Sequence, residues 1–157
     1  MYIVAAIMWL APTLGHVTAG QYAKHIAFEA KWYRIDVFDV LAYTTIESRW
    51  RKKLRSQTND YGLMQVHVAK RGSSRFYGRA TELYDPQTNI REGIRLMDMW
   101  KRYHERICPK GSHHYLAHMK WGKKVKSLDH SEKVLHLRAT LVRRFAPKAL
   151  TQVAQNE

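Results

Sequence analysis

The chain has 157 residues, 45% hydrophobic content, a net charge of +14 and a pI near 10.1. This length fits one domain with a usable core, and the hydrophobic content argues against a disordered protein. The charge predicts attraction to a polyanion, for which nucleic acid, anionic lipid headgroups and acidic envelope polymers all qualify. Because Cys108 is the only cysteine, an intramolecular disulfide framework is excluded.

The N-terminal segment is strongly apolar over residues 2–14, and small residues precede Gly20, where a signal peptidase would cut. No Lys or Arg precedes this run, and Pro12 and His16 make it too short for a membrane span of about 20 apolar residues. We predict a weak export signal over residues 1–19 and no transmembrane span. The alternative is an ordinary buried N-terminal helix.

A helix is predicted over residues 21–32, followed by a second helix from Asp36 to Glu47. Asp36 is the candidate N-cap of the second helix. Glu47 shares a face with Tyr43 and other residues that are predicted to pack, because side chains three and four positions apart lie together on a helix. Burial disfavours the charged form of a carboxylate, so Glu47 is predicted to donate a proton near neutral pH. The alternative role is an ion-pair partner at a helix end.

A basic loop over residues 51–59 leads to Gly62-Leu63-Met64-Gln65, where Gly62 is predicted to permit close backbone approach. Residues 71–78 are predicted to form a loop beside a cleft, with Phe76 and Tyr77 either stacking on a ligand or packing on the core. The next helix is predicted to start at Asp85-Pro86, because Asp caps free N–H groups and Pro suits the first helical position.

Three histidines, His113, His114 and His118, suggest a metal site, since the last two are four residues apart. No carboxylate lies nearby in sequence to complete a site, so neither a metal nor a cofactor is predicted. Cys108 is predicted to be a small buried hydrophobic side chain. Residues 126–157 are predicted to form a basic extension with an amphipathic helix that packs on the domain or docks on an envelope surface.

Two separated blocks resemble the soluble (SLT) family of lytic transglycosylases, which are lysozyme-like. The first runs from Glu47 through Ser56 to Gly62-Leu63-Met64-Gln65, and the second is Asp85-Pro86-Gln87-Thr88-Asn89-Ile90-Arg91-Glu92-Gly93. The stretch Asp60-Tyr61-Gly62 is also similar to the lysozymes. The resemblance covers about residues 21–122. It implies a mainly α, lysozyme-like α (α+β) single domain with a substrate groove, here placed over residues 20–125.

The resemblance implies that Glu47 is the catalytic acid and that peptidoglycan glycan strands are the partner. His67 stands where larger enzymes often carry Met, and Met119-Lys120-Trp121-Gly122 replaces the family's Tyr-Asn-x-Gly turn. The residues assigned to substrate binding, with Asn89 expected mainly as scaffold and Tyr115 offered as the missing phenol, are Ser56, Met64, Gln65, His67, Asn89 and Tyr115.

The implied reaction cleaves the β-1,4 bond between N-acetylmuramic acid and N-acetylglucosamine and leaves 1,6-anhydromuramic ends. One carboxyl, Glu47, serves first as acid and then as base, which favours the lyase over a muramidase that would use Asp60 as a partner carboxylate. A catalytically idle cell-wall-binding protein is a further alternative. No nucleic-acid partner is expected, because no zinc-finger spacing or RNA-recognition motif is present. Action is expected in a secreted or periplasmic setting, and a phage origin stays open.

Overall fold

The computed structural model describes residues 2–68, 76, 78–108 and 114–146. Within these residues the chain forms six α-helices, one short 3-10 helix and a two-stranded hairpin. In chain order the elements are α1 (Tyr2–Leu10), α2 (His16–Tyr33), α3 (Val37–Ser48), β1 (Asp60–Tyr61), β2 (Val66–His67), the 3-10 helix (Ala80–Tyr84), α4 (Pro86–Ile107), α5 (Leu116–Trp121) and α6 (Asp129–Phe145). The mainly α, lysozyme-like fold that the sequence predicted is confirmed.

Helix α3 lies at the centre of the molecule and packs against α6, α2 and α1. Its N-cap is Asp36, whose carboxylate accepts a 2.8 Å hydrogen bond from the backbone N–H of Phe38, as predicted. The side chains of Val40, Tyr43 and Thr44 are buried. The face that carries Glu47 is therefore the packed face of the helix, as its periodicity indicated.

Helix α4 begins as its sequence predicted, with Asp85 as the N-cap and Pro86 in the first turn. The Asp85 carboxylate accepts a 2.8 Å hydrogen bond from the backbone N–H of Thr88. One face of the helix then enters the main core through the buried side chains Ile90, Ile94, Met97 and Trp100. Helix α4 also packs along α2, so it forms the second long wall of the domain.

The two terminal helices belong to the same core. Ala6 and Ile7 of α1 are fully buried, so the structure places a packed helix where an export signal was predicted. The export role itself stays a prediction. Val134 and Leu141 of α6 are also fully buried in this core. Helix α6 therefore packs within the domain, which is one of the two outcomes that its amphipathic pattern allowed.

The hairpin pairs Asp60 with His67 and Tyr61 with Val66 in antiparallel register. Gly62 follows the first strand with a φ of +75°, which disfavours any residue with a Cβ. A Cβ at this position would lie 2.2 Å from the side-chain amide of Asn89. The predicted close approach at Gly62 is thus confirmed. The neighbouring residue, Asn89, belongs to the second of the two sequence blocks that resemble the SLT family.

Two further sequence predictions concern the segment after the hairpin and the possibility of a membrane span. Phe76 is buried in a small cluster with Tyr61, Val66 and Leu83, so it packs on the protein. Tyr77 lies outside the described residues. Among the helices that the structure describes, none combines the length and apolar character needed to cross a bilayer.

Candidate active site

A groove with a volume of about 450 Å³ runs between α3, the hairpin, α4 and α5. Its polar side chains come mostly from the hairpin and from the end of α3, whereas α4 and α5 contribute aromatic and apolar surface. The lining residues are Tyr43, Glu47, Thr58, Asp60, Met64, Gln65, Val66, His67, Leu96, Trp100, His118, Met119, Lys120, Trp121 and Gly122.

Glu47 stands in the last turn of α3 and lines this groove together with Gln65. Its side chain is only 8% exposed, as the packed face of the helix predicted. The helix ends immediately after it, since Arg49 and Trp50 both have left-handed backbone conformations, with φ of 50° and 64°. Trp50 is held in this conformation by burial and by a 2.9 Å hydrogen bond from its indole N–H to Thr45.

The Glu47 carboxyl is contacted from behind by His130, at the start of α6. The Nε2 atom of His130 lies 2.7 Å from Glu47 Oε1, and the His130 side chain is 17% exposed. The two atoms are close, but their geometry does not fit a hydrogen bond. Oε1 accepts no hydrogen bond from the residues that the structure describes.

Tyr43, one helical turn before Glu47, completes the surroundings of the carboxyl. Burial, followed by the charge and hydrogen bonding of Glu47, holds the pKa of the Tyr43 hydroxyl well above its ordinary value. Tyr43 is therefore a neutral phenol with a proton to donate. Its ring also meets the His130 ring edge-on, with centroids 5.8 Å apart.

Three of the predicted substrate-binding residues line the groove. Gln65 has a left-handed φ of 46°, and its side-chain amide donates a 2.9 Å hydrogen bond to the carbonyl of Gly62. Met64 is buried, and its sulfur would lie 2.4 Å from a Cβ placed at Gly93. His67 is exposed at the edge of the hairpin. Their contact with a substrate stays a prediction.

Asp60 projects into the same groove from the hairpin, and both of its oxygens are engaged. One oxygen accepts 2.6 Å hydrogen bonds from the hydroxyls of Ser56 and Thr58, and the other lies 2.8 Å from Nδ1 of His67. Burial raises the pKa of Asp60, but the bonds from Ser56, Thr58 and His67 outweigh it, so the net pKa is lowered. Asp60 is therefore an ionised carboxylate at neutral pH.

Ser56, Asn89 and Tyr115 do not line this groove, and the substrate-binding role expected of them stays a prediction. The Ser56 hydroxyl is used within its own turn, where it binds Asp60 and accepts the backbone N–H of Thr58. The Asn89 side chain is buried and bonds to backbone groups of Tyr61, Leu83 and Met64. Asn89 therefore fixes the turn that carries Gly62 and Met64, as its expected scaffold role requires.

Tyr115 lies in a second cavity, of about 470 Å³, which Asp36 and Asp39 line at the start of α3. Its hydroxyl donates a 2.9 Å hydrogen bond to the buried Asp39. Burial, followed by the Asp39 charge, raises the pKa of Tyr115, so the phenol stays neutral. Tyr115 therefore supplies no phenol to the groove. The segment Met119-Lys120-Trp121-Gly122, which was expected to replace the family's Tyr-Asn-x-Gly turn, does line the groove.

Sequence reasoning missed His130 altogether. A signal was nevertheless present, because His130 stands four residues before Val134 and eleven before Leu141, on the apolar row of α6. That row placed His130 on the packed face. What the pattern could not supply was the element against which α6 packs.

Two of the three histidines that suggested a metal site in the sequence lie in different surroundings. His118 is buried and meets His104 and Cys108, whereas His114 lines the second cavity. His113 lies outside the described residues.

A mainly α domain with a short hairpin, and a buried acid at the end of a helix beside a groove, place the chain in the lysozyme-like fold class. The chain matches the family model described as "Transglycosylase SLT domain" over residues 24–133, and it belongs to that family. The matched segment spans Glu47, the hairpin and His130. No curated protein and no solved structure matches the chain. The family supports a transglycosylase-type function that acts on peptidoglycan.

Proposed function

We propose that the protein is a lytic transglycosylase that cleaves the β-1,4 bond between N-acetylmuramic acid and N-acetylglucosamine and leaves 1,6-anhydromuramic ends. The observation that carries this proposal is the buried carboxyl of Glu47, which lines the groove beside Gln65 and lies against the His130 ring. The reaction needs one group that acts first as an acid and then as a base, and Glu47 is such a group.

In the first step the Glu47 carboxyl protonates the glycosidic oxygen as the muramyl C1 becomes oxocarbenium-like. The C1–O bond breaks, the N-acetylglucosamine alcohol leaves, and the substrate's own acetamido group assists at C1. In the second step the Glu47 carboxylate removes the proton from the muramyl 6-hydroxyl. That oxygen bonds to C1 as the acetamido oxygen leaves it, which gives the anhydro end and returns Glu47 to its protonated form.

The neighbours of Glu47 suit both steps. The Tyr43 phenol is neutral and can donate to the carboxylate that exists between the steps. His130 lies close enough to Oε1 to stabilise the same charge, while the groove side of Glu47 stays available to the sugar. We therefore assign Tyr43 and His130 as positioning residues, which act on the sugar only through Glu47.

The ionised Asp60 in the same groove supports a second candidate, a muramidase in which Asp60 would stabilise or trap the C1 cation. Two features favour the lyase over this hydrolase. Both Asp60 oxygens are already bonded to Ser56, Thr58 and His67. Those bonds also make Asp60 the organiser of its own turn, which is the structural role expected of Asp in such a sequence.

Mass spectrometry of the muropeptides released from purified peptidoglycan tests the proposal. Wild-type protein is expected to release anhydromuramic ends, Glu47→Gln is expected to release none, and Asp60→Ala is expected to keep the anhydro product. Gln21→Ala, at an exposed position of α2 that is absent from the groove lining, serves as the control variant. Reducing muramic acid ends that disappear in Asp60→Ala would support the muramidase, and unaltered turnover by Glu47→Gln would defeat both enzymes.

The setting of the reaction follows from its substrate. Peptidoglycan lies outside the cytoplasmic membrane, so we propose secreted or periplasmic action, whether the chain is encoded by a bacterium or by a phage. The charge of +14 would concentrate the protein on anionic envelope polymers. Cell-wall binding that weakens steeply with added salt would support this role for the charge.

A further inference from the structure

We propose that His104, Cys108 and His118 form a zinc-binding site that joins the end of α4 to α5. One ligating atom from each of the three side chains lies within 4.8 Å of the other two. His104 and Cys108 are four residues apart at the C-terminal end of α4, so their side chains share one face. His118 reaches the same point from α5.

The orientation of His118 is that of a metal ligand. Its Nδ1 atom lies 2.7 Å from the carbonyl oxygen of Gly122, which fixes the proton on Nδ1 and places the lone pair on Nε2. That Nε2 atom lies 3.4 Å from the sulfur of Cys108. Tetrahedral zinc with bonds of about 2.3 Å to sulfur and about 2.05 Å to nitrogen separates the two ligand atoms by about 3.5 Å.

A hydrogen bond from the thiol to the imidazole would explain the short contact between Cys108 and His118. It would not explain why His104 also approaches this pair, with its ring centroid 5.5 Å from that of His118. Closing the three ligands on one ion requires the widest separation to shorten by no more than about 1.5 Å. A rotation of the partly exposed His104 side chain can supply this movement.

The ligand set favours zinc over hard cations, because one thiolate and two imidazoles suit a borderline-soft ion and offer no carboxylate. The shell around His118 is aromatic. Trp100 stacks on its ring at 5.6 Å, and Tyr103 meets it edge-on at 5.2 Å. Such a shell limits solvent and strengthens metal–ligand bonds. With three protein ligands, the fourth position is left to water or to an exogenous ligand.

The site adjoins one wall of the groove, because His118 itself lines the groove. Residues 119–122 follow His118 and line the groove, and Gly122 accepts the hydrogen bond from its ring. A bound zinc ion would therefore hold that wall against α4. This role is separate from the chemistry of Glu47, so the site and the proposed reaction can stand or fall independently.

Titration of the tag-free, metal-depleted protein with Zn²⁺ and with Co²⁺ tests the site. We expect one equivalent of metal per chain, a rise in melting temperature on adding Zn²⁺, and a thiolate-to-cobalt charge-transfer band with tetrahedral visible bands. Cys108→Ser is expected to lose the charge-transfer band. Loss of a residue that only hydrogen-bonds to a metal ligand typically lowers metal affinity by about 10–100-fold. Cys108→Ser removes a ligand itself, so it should bind zinc at least about 100-fold more weakly than the wild type.

His104→Gln and the exposed-site control His136→Ala complete the set. His136 is exposed on α6 and is remote from the cluster, so its variant should bind zinc as the wild type does. Circular dichroism establishes that each variant is folded. The proposal is overturned if the wild type takes up no stoichiometric zinc, if the cobalt band survives Cys108→Ser, or if His136→Ala weakens binding as much as His104→Gln.

Discussion

Helices α3 and α6 are joined at two places, and the two places differ in chemistry. Asp39 on α3 meets Arg138 on α6, with 2.9 Å between Asp39 Oδ1 and the Arg138 Nε. Glu47 on α3 meets His130 on α6 at 2.7 Å. In each helix the two residues are eight positions apart, or about 12 Å along the axis, so the pairs are successive contacts of one antiparallel packing.

The difference lies in what surrounds each carboxyl. Asp39 is bonded to the Tyr115 hydroxyl and to a guanidinium that never loses its charge, and Arg138 also pairs with Asp36. Glu47 has the His130 imidazole as its neighbour and lines the groove. The same helix pair therefore holds one buried acid in a fixed ion pair and leaves the other facing a groove, where the proposed reaction would use it. A permanent cation suits the first task, because Arg138 keeps its charge at every pH at which the protein is folded.

The largest expected difference between the two acids is in catalysis. Glu47→Gln should lower the rate of peptidoglycan cleavage by about 10²–10⁴-fold, because it removes the proposed acid and base. Asp39→Asn, on the same helix, should keep the rate within about 3-fold of wild type, since Asp39 does not line the groove. Turnover on purified peptidoglycan measures both rates. Equal losses in the two variants would show that folding, and not chemistry, explains the effect.

Exchanging the cation tests the partner of Glu47. His130→Arg places a permanent charge against the carboxyl and should hold it ionised, which lowers kcat by about 100-fold because the acid step is lost. His130→Gln should lower kcat by only about 10-fold and leave KM nearly unchanged. The matched control is His136→Arg, which adds the same charge on an exposed part of α6. Wild-type kcat and an unaltered pH profile in His130→Arg would contradict the assigned role.

The structural pair should show its importance in stability. Arg138→Met leaves the buried Asp39 without its cation, and breaking a fully buried pair typically destabilises by about 3–5 kcal/mol. Because the Arg138 side chain is 36% exposed, we expect a smaller loss of about 2–3 kcal/mol in the free energy of unfolding. Urea denaturation measures this loss. Arg143→Met, on the exposed side of α6, should change stability by less than about 0.5 kcal/mol, and a similar loss there would refute the assignment.

The smallest effects concern pH, where two groups of the second cavity act in opposite directions. Burial, reinforced by the Asp36 charge, raises the pKa of Asp39 from 3.8 to about 6. The folded protein then holds a proton that the unfolded chain has released, so its contribution to stability falls as pH rises from about 4 to 6. Burial, followed by the charge of Arg138, lowers the pKa of His114 from 6.5 to about 4. Its contribution is lost as pH falls through the same interval.

Removing one of the two groups should therefore leave the pH dependence of stability that the other group contributes. His114→Gln should leave stability that decreases with rising pH between about 4 and 6, and Asp39→Asn should leave stability that increases over that interval. In each variant the free energy of unfolding should change by at most about 2–3 kcal/mol between pH 4 and 6. Urea denaturation of wild type and both variants at a series of pH values measures this. Identical pH profiles for the three proteins would contradict both assignments.

Local chemistry made much of this fold predictable. The caps at Asp36 and Asp85 and the packed face that carries Glu47 follow from residue spacing alone, because they depend on neighbours within one or two turns. The pairing of Glu47 with His130 joins residues 83 positions apart, and no local pattern specifies it. Tyr115 was predicted for the groove from its sequence position, but the buried Asp39 offers its hydroxyl a charged acceptor elsewhere. Partners of this kind are decided by tertiary packing.

The position of His130 and Arg138 on one helix has a practical consequence for shortened forms of the protein. The family match ends at residue 133, within α6, so a fragment cut at that point keeps the imidazole but loses the guanidinium and the apolar residues Val134 and Leu141. The remaining stub of the helix would have little to anchor it, and residue 130 would drift from the acid. A minimal active fragment must therefore extend through Phe145, beyond the borders that family comparison alone would set.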